Sequence, residues 1–196
     1  MNKSYWITAL TFSGALLLAA SGGRAATVVP LSLHDLVATS DLVIESRVIT
    51  GTADFCGPAG ASMLFTYWEV EVKEALKGTA AASVLVRTPG GGKDGRELVV
   101  PGAPGFQPDQ RLILFLKKTE ESRSGRPVYE VLGWQQGALE ITAEPASGEP
   151  VVRRPAQPSE KKPARPVAVK LKEFKREVRA LAQPPAAAEP SPEASP

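Results

Sequence analysis

The 196-residue chain contains one cysteine, Cys56, and one histidine, His34. A single cysteine cannot form an intrachain disulfide, so a domain built from this chain depends on a packed core. One histidine and one cysteine also leave too few ligands for a structural zinc site. No Asp-x-Asp-x-Asp pattern supplies the clustered oxygens that bind calcium. The sequence therefore predicts no metal site and no cofactor.

Catalytic motifs are equally scarce. A nucleophilic cysteine needs a base, usually histidine, so the candidate pair is Cys56 with His34, and sequence alone does not show whether the two meet. The segment 89–95 (PGGGKDG) lacks the Ser/Thr and the helix that follow the lysine of a phosphate-binding loop, which favours a flexible turn. We predict no catalytic residue, and a Cys56/His34-dependent enzyme is the alternative.

One apolar run, residues 5–20, follows a weakly basic head that contains Lys3. A membrane-spanning helix needs about 20 predominantly apolar residues, and this shorter run also contains threonine, serine and glycine. Small residues follow it, and cleavage fits best after Ala25. We therefore predict a signal peptide over residues 1–25 and a secreted or periplasmic protein.

The composition of the rest of the chain changes near residue 146. Residues 27–145 contain 11 Lys/Arg against 15 Asp/Glu, a net charge of −4, whereas residues 146–196 contain 10 against 6, a net charge of +4. The first part has an ordinary size for one domain. The proline-rich charged segments 146–166 and 183–196 have little to bury. We predict a β-barrel domain over 27–145, a linker over 146–166 and a disordered tail over 183–196.

The segment 167–182 lies between the two proline-rich stretches and contains neither proline nor glycine. Leu171, Phe174, Val178 and Leu181 recur at spacings of three and four, which places them on one face of a helix. Such a basic amphipathic helix binds an anionic membrane surface or a partner groove, or it docks on the acidic domain. The candidate interaction residues of this helix are Leu171, Phe174, Lys175, Arg176, Val178 and Arg179.

Seven alternating or apolar segments separated by Gly/Pro turns predict short strands at 42–50, 63–75, 83–88, 97–100, 111–117, 128–132 and 138–141. Residues 111–117 (RLILFLK) are apolar on both faces, which predicts a central strand. The Ser32-x-x-Asp35 pattern predicts a capped helix before the first strand. We expect a mainly β fold: a small OB-like barrel or sandwich of about 6–7 strands, with one short N-terminal helix and a separate C-terminal amphipathic helix.

The second predicted strand carries the aromatic candidates. Trp68 shares an apolar face with Val70 and Val72, so we expect it to be buried. On the other face, Phe65 and Tyr67 form either an exposed platform, as OB-folds use for oligonucleotides or sugars, or a packed pair beneath the Cys56 loop. Both are candidate interaction residues. The acidic domain argues against a nucleic-acid partner.

Several short motifs carry a resemblance: Ser40–Val43, VKEALKG at 72–78, TPGG at 88–91, Phe115-Leu116 and GWQQG at 133–137. Over residues 31–141 the chain resembles a group of uncharacterised exported bacterial proteins. Its first half is similar to the OB-fold barrel of netrin-like, or tissue-inhibitor-of-metalloproteinase-like, domains. Those inhibitors use disulfides and an N-terminal cysteine that reaches the protease metal. This chain has neither, since Ala26 would be its mature N-terminus, so the resemblance implies the fold and not the inhibition.

The sequence thus favours an exported, non-catalytic binding or interaction module of the bacterial envelope. Its expected partner is an unknown protein or an anionic envelope component, and peripheral membrane contact through the C-terminal helix is a further expectation. The alternatives are the Cys56/His34-dependent enzyme and an envelope structural protein whose tail contacts membrane or polymer.

Overall fold

The computed structural model describes residues 30–57, 62–154 and 167–183. The predicted signal peptide, most of the predicted linker and nearly all of the predicted tail lie outside these ranges. The described strands are β1 Leu42–Cys56, β2 Met63–Lys77, β3 Ser83–Pro89, β4 Gly91–Lys93, β5 Arg96–Leu98, β6 Arg111–Arg123, β7 Arg126–Val131, β8 Ala138–Ala143, β9 Pro150–Arg154 and β10 Val167–Lys170. The helices are α1 Leu33–Thr39 and α2 Leu171–Ala182. The predicted mainly β class with one helix near each end is therefore confirmed.

The capped N-terminal helix is also confirmed. Ser32 Oγ accepts a hydrogen bond from the Asp35 amide at 3.1 Å, and Asp35 Oδ2 accepts one from the Ser32 amide at 3.2 Å. At the other end of α1, Lys77 Nζ donates to the carbonyls of Val37 at 2.6 Å and Ser40 at 2.7 Å. A lysine suits this position because the last carbonyls of a helix lack partners and carry partial negative charge. The ammonium thereby joins α1 to the end of β2.

Five strands pair in a continuous order. β1 pairs with β2 and β2 with β3 as antiparallel neighbours, β3 pairs with β7 in parallel, and β7 pairs with β6 antiparallel. Because β6 also pairs with β1, the order β1-β2-β3-β7-β6 returns to β1. Beyond β6 the large sheet continues through β8, β9 and β10.

The C-terminal part of the chain differs from the prediction. Residues 150–154, expected in a linker, form β9, which pairs with β8. Residues 167–170, expected to be helical, form β10 instead. Burial explains the difference, because Val151 and Val152 are only 5% and 0% exposed although charged residues and prolines surround them. Pro150 is tolerated as the first residue of its strand, where its missing N–H breaks no ladder.

The strand count and one loop also differ from the prediction. The segment expected as a flexible turn contains β4, which pairs with β5 in a separate hairpin. Asp94 and Gly95 connect the two strands, and both have positive φ, as tight hairpin turns require. β1 and β6 extend to Cys56 and Arg123, six residues further than predicted in each case.

The buried side chains form two core clusters on opposite faces of β1 and β6. One cluster lies among β1, β2, β3 and β6 and contains Leu42, Ile44, Val48, Val70, Val84, Val86, Phe106, Leu112, Leu114 and Leu116. The other joins the sheet to both helices and contains Leu33, Leu36, Val37, Val43, Leu76, Ile113, Phe115, Leu139, Ile141, Val152, Leu171, Phe174 and Val178. Alternation places neighbouring residues on opposite faces, so β6 is buried on both sides, as its sequence predicts. β1 was expected to be half-buried, but residues 42–46 are all buried because the helices cover its second face.

Trp68 packs beside the first of these clusters and is partly buried. Its indole lies edge-on to Phe106, with ring centroids 5.5 Å apart, and its Nε1 donates to Thr88 Oγ1 at 3.0 Å. The face that the sequence assigns to Trp68 is therefore the packed one, although its burial is less complete than expected.

Candidate functional site

A polar cluster lies where several strands end, and we name it the Glu121 cluster. Its members are Asp54 and Cys56 on β1, Phe65 and Tyr67 on β2, Arg87 on β3, Lys93 on β4, and Glu121 and Arg123 on β6. Strand register places most of them together, since Asp54 pairs with Phe65 and Tyr67 pairs with Arg87. The cluster therefore gathers side chains from five strands around one carboxylate.

Glu121 is the centre of this cluster and is 17% exposed. Its carboxylate accepts hydrogen bonds from Tyr67 Oη at 2.9 Å, Arg87 Nη1 at 2.8 Å and Arg123 Nε at 2.9 Å. Cys56 Sγ is a further donor at 3.5 Å. Burial raises the pKa of Glu121, but the donors together outweigh burial and hold that pKa below its ordinary value of 4.5. The side chain is thus an ionised and firmly held acceptor.

The aromatic residues of β2 do not form an exposed platform. Tyr67 is 5% exposed, and the guanidinium carbon of Arg123 lies 3.6 Å from its ring centroid. Arg87 covers the ring of Phe65 in the same way, at 4.8 Å. Burial, followed by the hydrogen bond to Glu121, raises the pKa of Tyr67. Phe65 and Tyr67 therefore adopt the packed alternative, with arginines stacked on their rings.

Asp54 forms the outer part of the cluster. Lys93 Nζ lies 2.5 Å from Asp54 Oδ1, and Arg123 Nη1 lies 2.9 Å from Asp54 Oδ2. The hydrogen bond from Lys93, then that from Arg123, lowers the pKa of Asp54 to about 2. At neutral pH the Glu121 cluster holds three cations, Arg87, Lys93 and Arg123, against two carboxylates, Asp54 and Glu121, so it carries one excess positive charge.

The structure does not bring Cys56 and His34 together. His34 lies on α1, before the first residue of β1, whereas Cys56 is the last residue of that strand. The imidazole is 72% exposed and its Nδ1 lies 3.7 Å from Asp35 Oδ1. The thiol instead faces Glu121, with Arg87 Nη1 at 4.0 Å. The structure therefore does not support the Cys56/His34 pair that was the alternative, since His34 lies on the helix before β1 and Cys56 lies at the far end of that strand.

Metal ligation has no candidate in the part of the chain that the structure describes. No group of three or more His, Cys, Asp or Glu side chains there is arranged to hold a metal ion. In the same residues, neither helix has the length and apolar run needed to cross a membrane.

The C-terminal helix docks on the sheet through its apolar stripe. Leu171, Phe174 and Val178 are 6%, 0% and 0% exposed, whereas Leu181, the fourth member of the predicted stripe, is 36% exposed. α2 also contacts α1 and β2. The apolar face that a membrane or a partner groove would need is thus already occupied by the protein's own core.

Two of the four basic residues of α2 pair with the sheet. Lys175 Nζ contacts the carboxylates of Glu45 and Glu74, and Arg179 also contacts Glu74. Glu45 is 5% exposed, and Arg111 Nη2 reaches it at 2.8 Å. Burial raises the pKa of Glu45, but Lys175 and Arg111 together hold it below its ordinary value of 4.5.

The outward side of the docked helix is close to electrically neutral. Lys172, Arg176 and Arg179 are exposed, and so are Glu173 and Glu177. Arg179 is balanced by its contact with Glu74, so two positive and two negative side chains remain, and these give little attraction for an anionic surface. The arrangement favours the docking alternative over the surface-binding one.

A groove borders the Glu121 cluster, and we name it the Trp134 groove. It has a volume of about 250 Å³ and is lined by Arg87, Pro89, Pro104, Glu130, Val131 and Trp134. Arg87 connects the two features, because its Nη1 contacts Glu121 while its Nη2 contacts Glu130 at 3.3 Å. Trp134 is 45% exposed. The sequence places this tryptophan in a turn but gives no reason to expect a groove.

No protein-family model, curated protein or solved structure matches this chain.

Proposed function

We propose that this protein is an exported, non-catalytic binding or interaction module of the bacterial envelope, built on an OB-type barrel. The pairing order β1-β2-β3-β7-β6-β1 with a single parallel pair, β3 and β7, supports the barrel. Counted along the ring-forming strands, β6 and β7 take the places of the fourth and fifth strands. OB-folds bind their ligands on the face of strands two and three and at the loops after strands one and four.

The observation that carries the proposal is the position of the Glu121 cluster. Its residues lie on β2 and β3 and at the ends of β1 and β6, next to the two connections that flank the ligand face of an OB-fold. Arginine is enriched in interaction hot spots. A guanidinium stacked on an aromatic ring is already ordered, so it loses less entropy when it contacts a ligand.

The chemistry of the cluster favours binding over catalysis. The Cys56 thiol donates to a carboxylate, and the imidazole that would activate it lies on α1, beyond the other end of β1. The carboxylate of Glu121 is already surrounded by donors. The docked helix α2 has its apolar face buried in the core, so the ends of the strands are the accessible candidate surface for a ligand.

Two exposed arginines provide a matched test. Arg96 lies at the edge of the cluster, with its guanidinium carbon 5.9 Å from the ring centroid of Phe55, whereas Arg153 lies on β9. The immobilised full chain is incubated with solubilised native envelope, and the retained components are quantified. We expect Arg96→Gln to reduce retention several-fold and Arg153→Gln to leave it unchanged.

A third variant, Arg176→Gln, tests the helix surface in the same experiment. Equal retention by the native chain and Arg96→Gln would contradict the proposed face. Loss of retention in Arg176→Gln alone would move the interaction to α2 and support the envelope structural alternative.

A further inference from the structure

We infer that the Trp134 groove binds a single ring of a neutral oligosaccharide. This inference rests on the proposed function, because it names the ligand class that the binding module takes. The groove lies between β3, β7 and the turn at Trp134.

Trp134 is held in an unusual backbone conformation with its side chain partly exposed. Its indole is 45% exposed, and its backbone has φ of +60°, directly after Gly133 with φ of +65°. A bulky residue rarely adopts positive φ, and such strain persists only where the surroundings fix it. The neighbouring Gln136 side chain fixes this turn, because its Oε1 accepts a hydrogen bond from the Leu31 amide at 2.7 Å. The fold thus holds a large apolar ring partly in water.

The groove is small, and most of its lining is apolar. Besides the indole, the apolar lining consists of Pro89, Pro104 and Val131, three side chains with few rotamers. The volume of about 250 Å³ is below the usual range for drug-sized ligands, so the groove accommodates one ring of a longer chain. An aromatic face suits the C–H side of a sugar ring because its π system is negative at the face.

The charged side chains in the wall of the groove balance one another. The polar wall consists of the ion pair between Arg87 and Glu130, which offers a donor and an acceptor with no net charge. A hydroxyl group both donates and accepts, so a polyol matches this pair. A phosphate or carboxylate would face Glu130, which is 51% exposed, and an Arg87 that is already paired with Glu121. The charge pattern therefore selects neutral ligands.

Calorimetric titration of the full chain tests the inference. The probes are neutral tetrasaccharides built from glucose, galactose, mannose or N-acetylglucosamine, and decaproline serves as the peptide probe because aromatic grooves also bind proline-rich segments. We expect millimolar or tighter binding of at least one tetrasaccharide. Trp134→Ala is expected to weaken it at least tenfold, and Trp134→Phe to retain part of the affinity.

Ile49→Ala is the matched control, since Ile49 is 46% exposed and lies on β1, outside the groove. It should bind as the native chain does, and thermal unfolding of each variant shows that it is folded. Absence of tetrasaccharide binding at about 10 mM, or equal binding by Trp134→Ala, would overturn the inference. Decaproline binding that depends on Trp134, without sugar binding, would overturn it as well.

The retention experiment with Arg96→Gln separates this inference from the proposed function. If the groove binds no sugar but retention still depends on Arg96, only the ligand class is wrong. If sugar binding depends on Trp134 while retention is independent of Arg96, the ligand class stands and the proposed face is wrong.

Discussion

Single carboxylates organise both polar regions of this protein. Glu121 and Glu45 are each largely buried, and each lies against two basic side chains. Burying an unpaired charge costs several kcal/mol, so each carboxylate and its cations depend on one another. The partners are remote in sequence: Glu121 binds Tyr67, 54 positions away. The ion pairs of Glu121 with Arg87 and Arg123 therefore hold the side chains of the Glu121 cluster in fixed positions although the cluster is polar.

The pKa of Asp54 provides a direct test of the cluster at this scale. Lys93 makes the largest contribution to lowering it to about 2, so Lys93→Met should raise the Asp54 pKa towards its ordinary value of 3.8. The folded pKa lies below the unfolded one, so the contribution of Asp54 to stability is present above about pH 3.8 and decreases as the pH falls towards 2. The chemical shift of the Asp54 carboxyl carbon, measured against pH, gives the titration midpoint of Asp54 in the native chain and in Lys93→Met.

Lys170→Met is the control for that titration, because Lys170 pairs with Glu149 and not with Asp54. Its Asp54 midpoint should remain at about 2. A native midpoint near 3.8 would show that the ion pairs at Asp54 do not exist in solution.

Among the elements, α2 shows most clearly how an amphipathic pattern becomes part of a fold. Phe174 is 0% exposed in the core cluster shared with α1, while Leu181 is 36% exposed at the end of the same stripe. We expect Phe174→Ala to lower the free energy of unfolding by about 3–5 kcal/mol, because it leaves a cavity in a packed core. Leu181→Ala, which removes a surface contact, should cost about 1 kcal/mol or less. Urea unfolding of both variants measures the difference.

Equal and small losses in the two variants would contradict docking of α2. The helix would then be an appendage, and its apolar stripe would be available to a partner or a lipid surface.

Local patterns predicted some elements well. The Ser32-x-x-Asp35 capping box predicts the start of α1, and the doubly apolar sequence of β6 predicts a strand buried on both faces; both are confirmed. β9 was missed because Arg153, Arg154 and Pro150 dominate its composition, and only the buried Val151 and Val152 mark it as a strand. The ladder that holds β9 forms with β8 and β10, and a partner strand is invisible to composition.

At the scale of the whole molecule, the C-terminal segment completes the fold. α2 and β9 join α1 in the core cluster on one face of β1 and β6, which is why β1 is buried on both sides although its sequence alternates. The net charges of residues 27–145 and 146–196, −4 and +4, predict attraction between the C-terminal segment and the sheet. They do not identify Glu45 and Glu74 as the carboxylates that Lys175 and Arg179 reach.

The candidate site was less predictable than the fold. Phe65 and Tyr67 were identified from strand alternation, but Arg87, Glu121 and Arg123 were not, since each lies in a different sequence context with no shared motif. Their proximity arises from strand register between β1, β2 and β3 and from the length of β6. An arginine on the mostly apolar strand β3 is a local signal that could have identified a further member of the cluster.

Hydrogen–deuterium exchange of the full chain, with and without solubilised native envelope, distinguishes binding at the strand ends from binding at α2. We expect the α2 amides to be protected before any envelope material is added, because the helix is docked. We also expect envelope material to slow exchange at the ends of β1 and β6, at β3 and around Trp134, and to leave α2 unchanged. The opposite result would be fast exchange of the α2 amides in the full chain alone, with slower exchange only after envelope material is added. That result would contradict docking of α2 and make the helix the binding element.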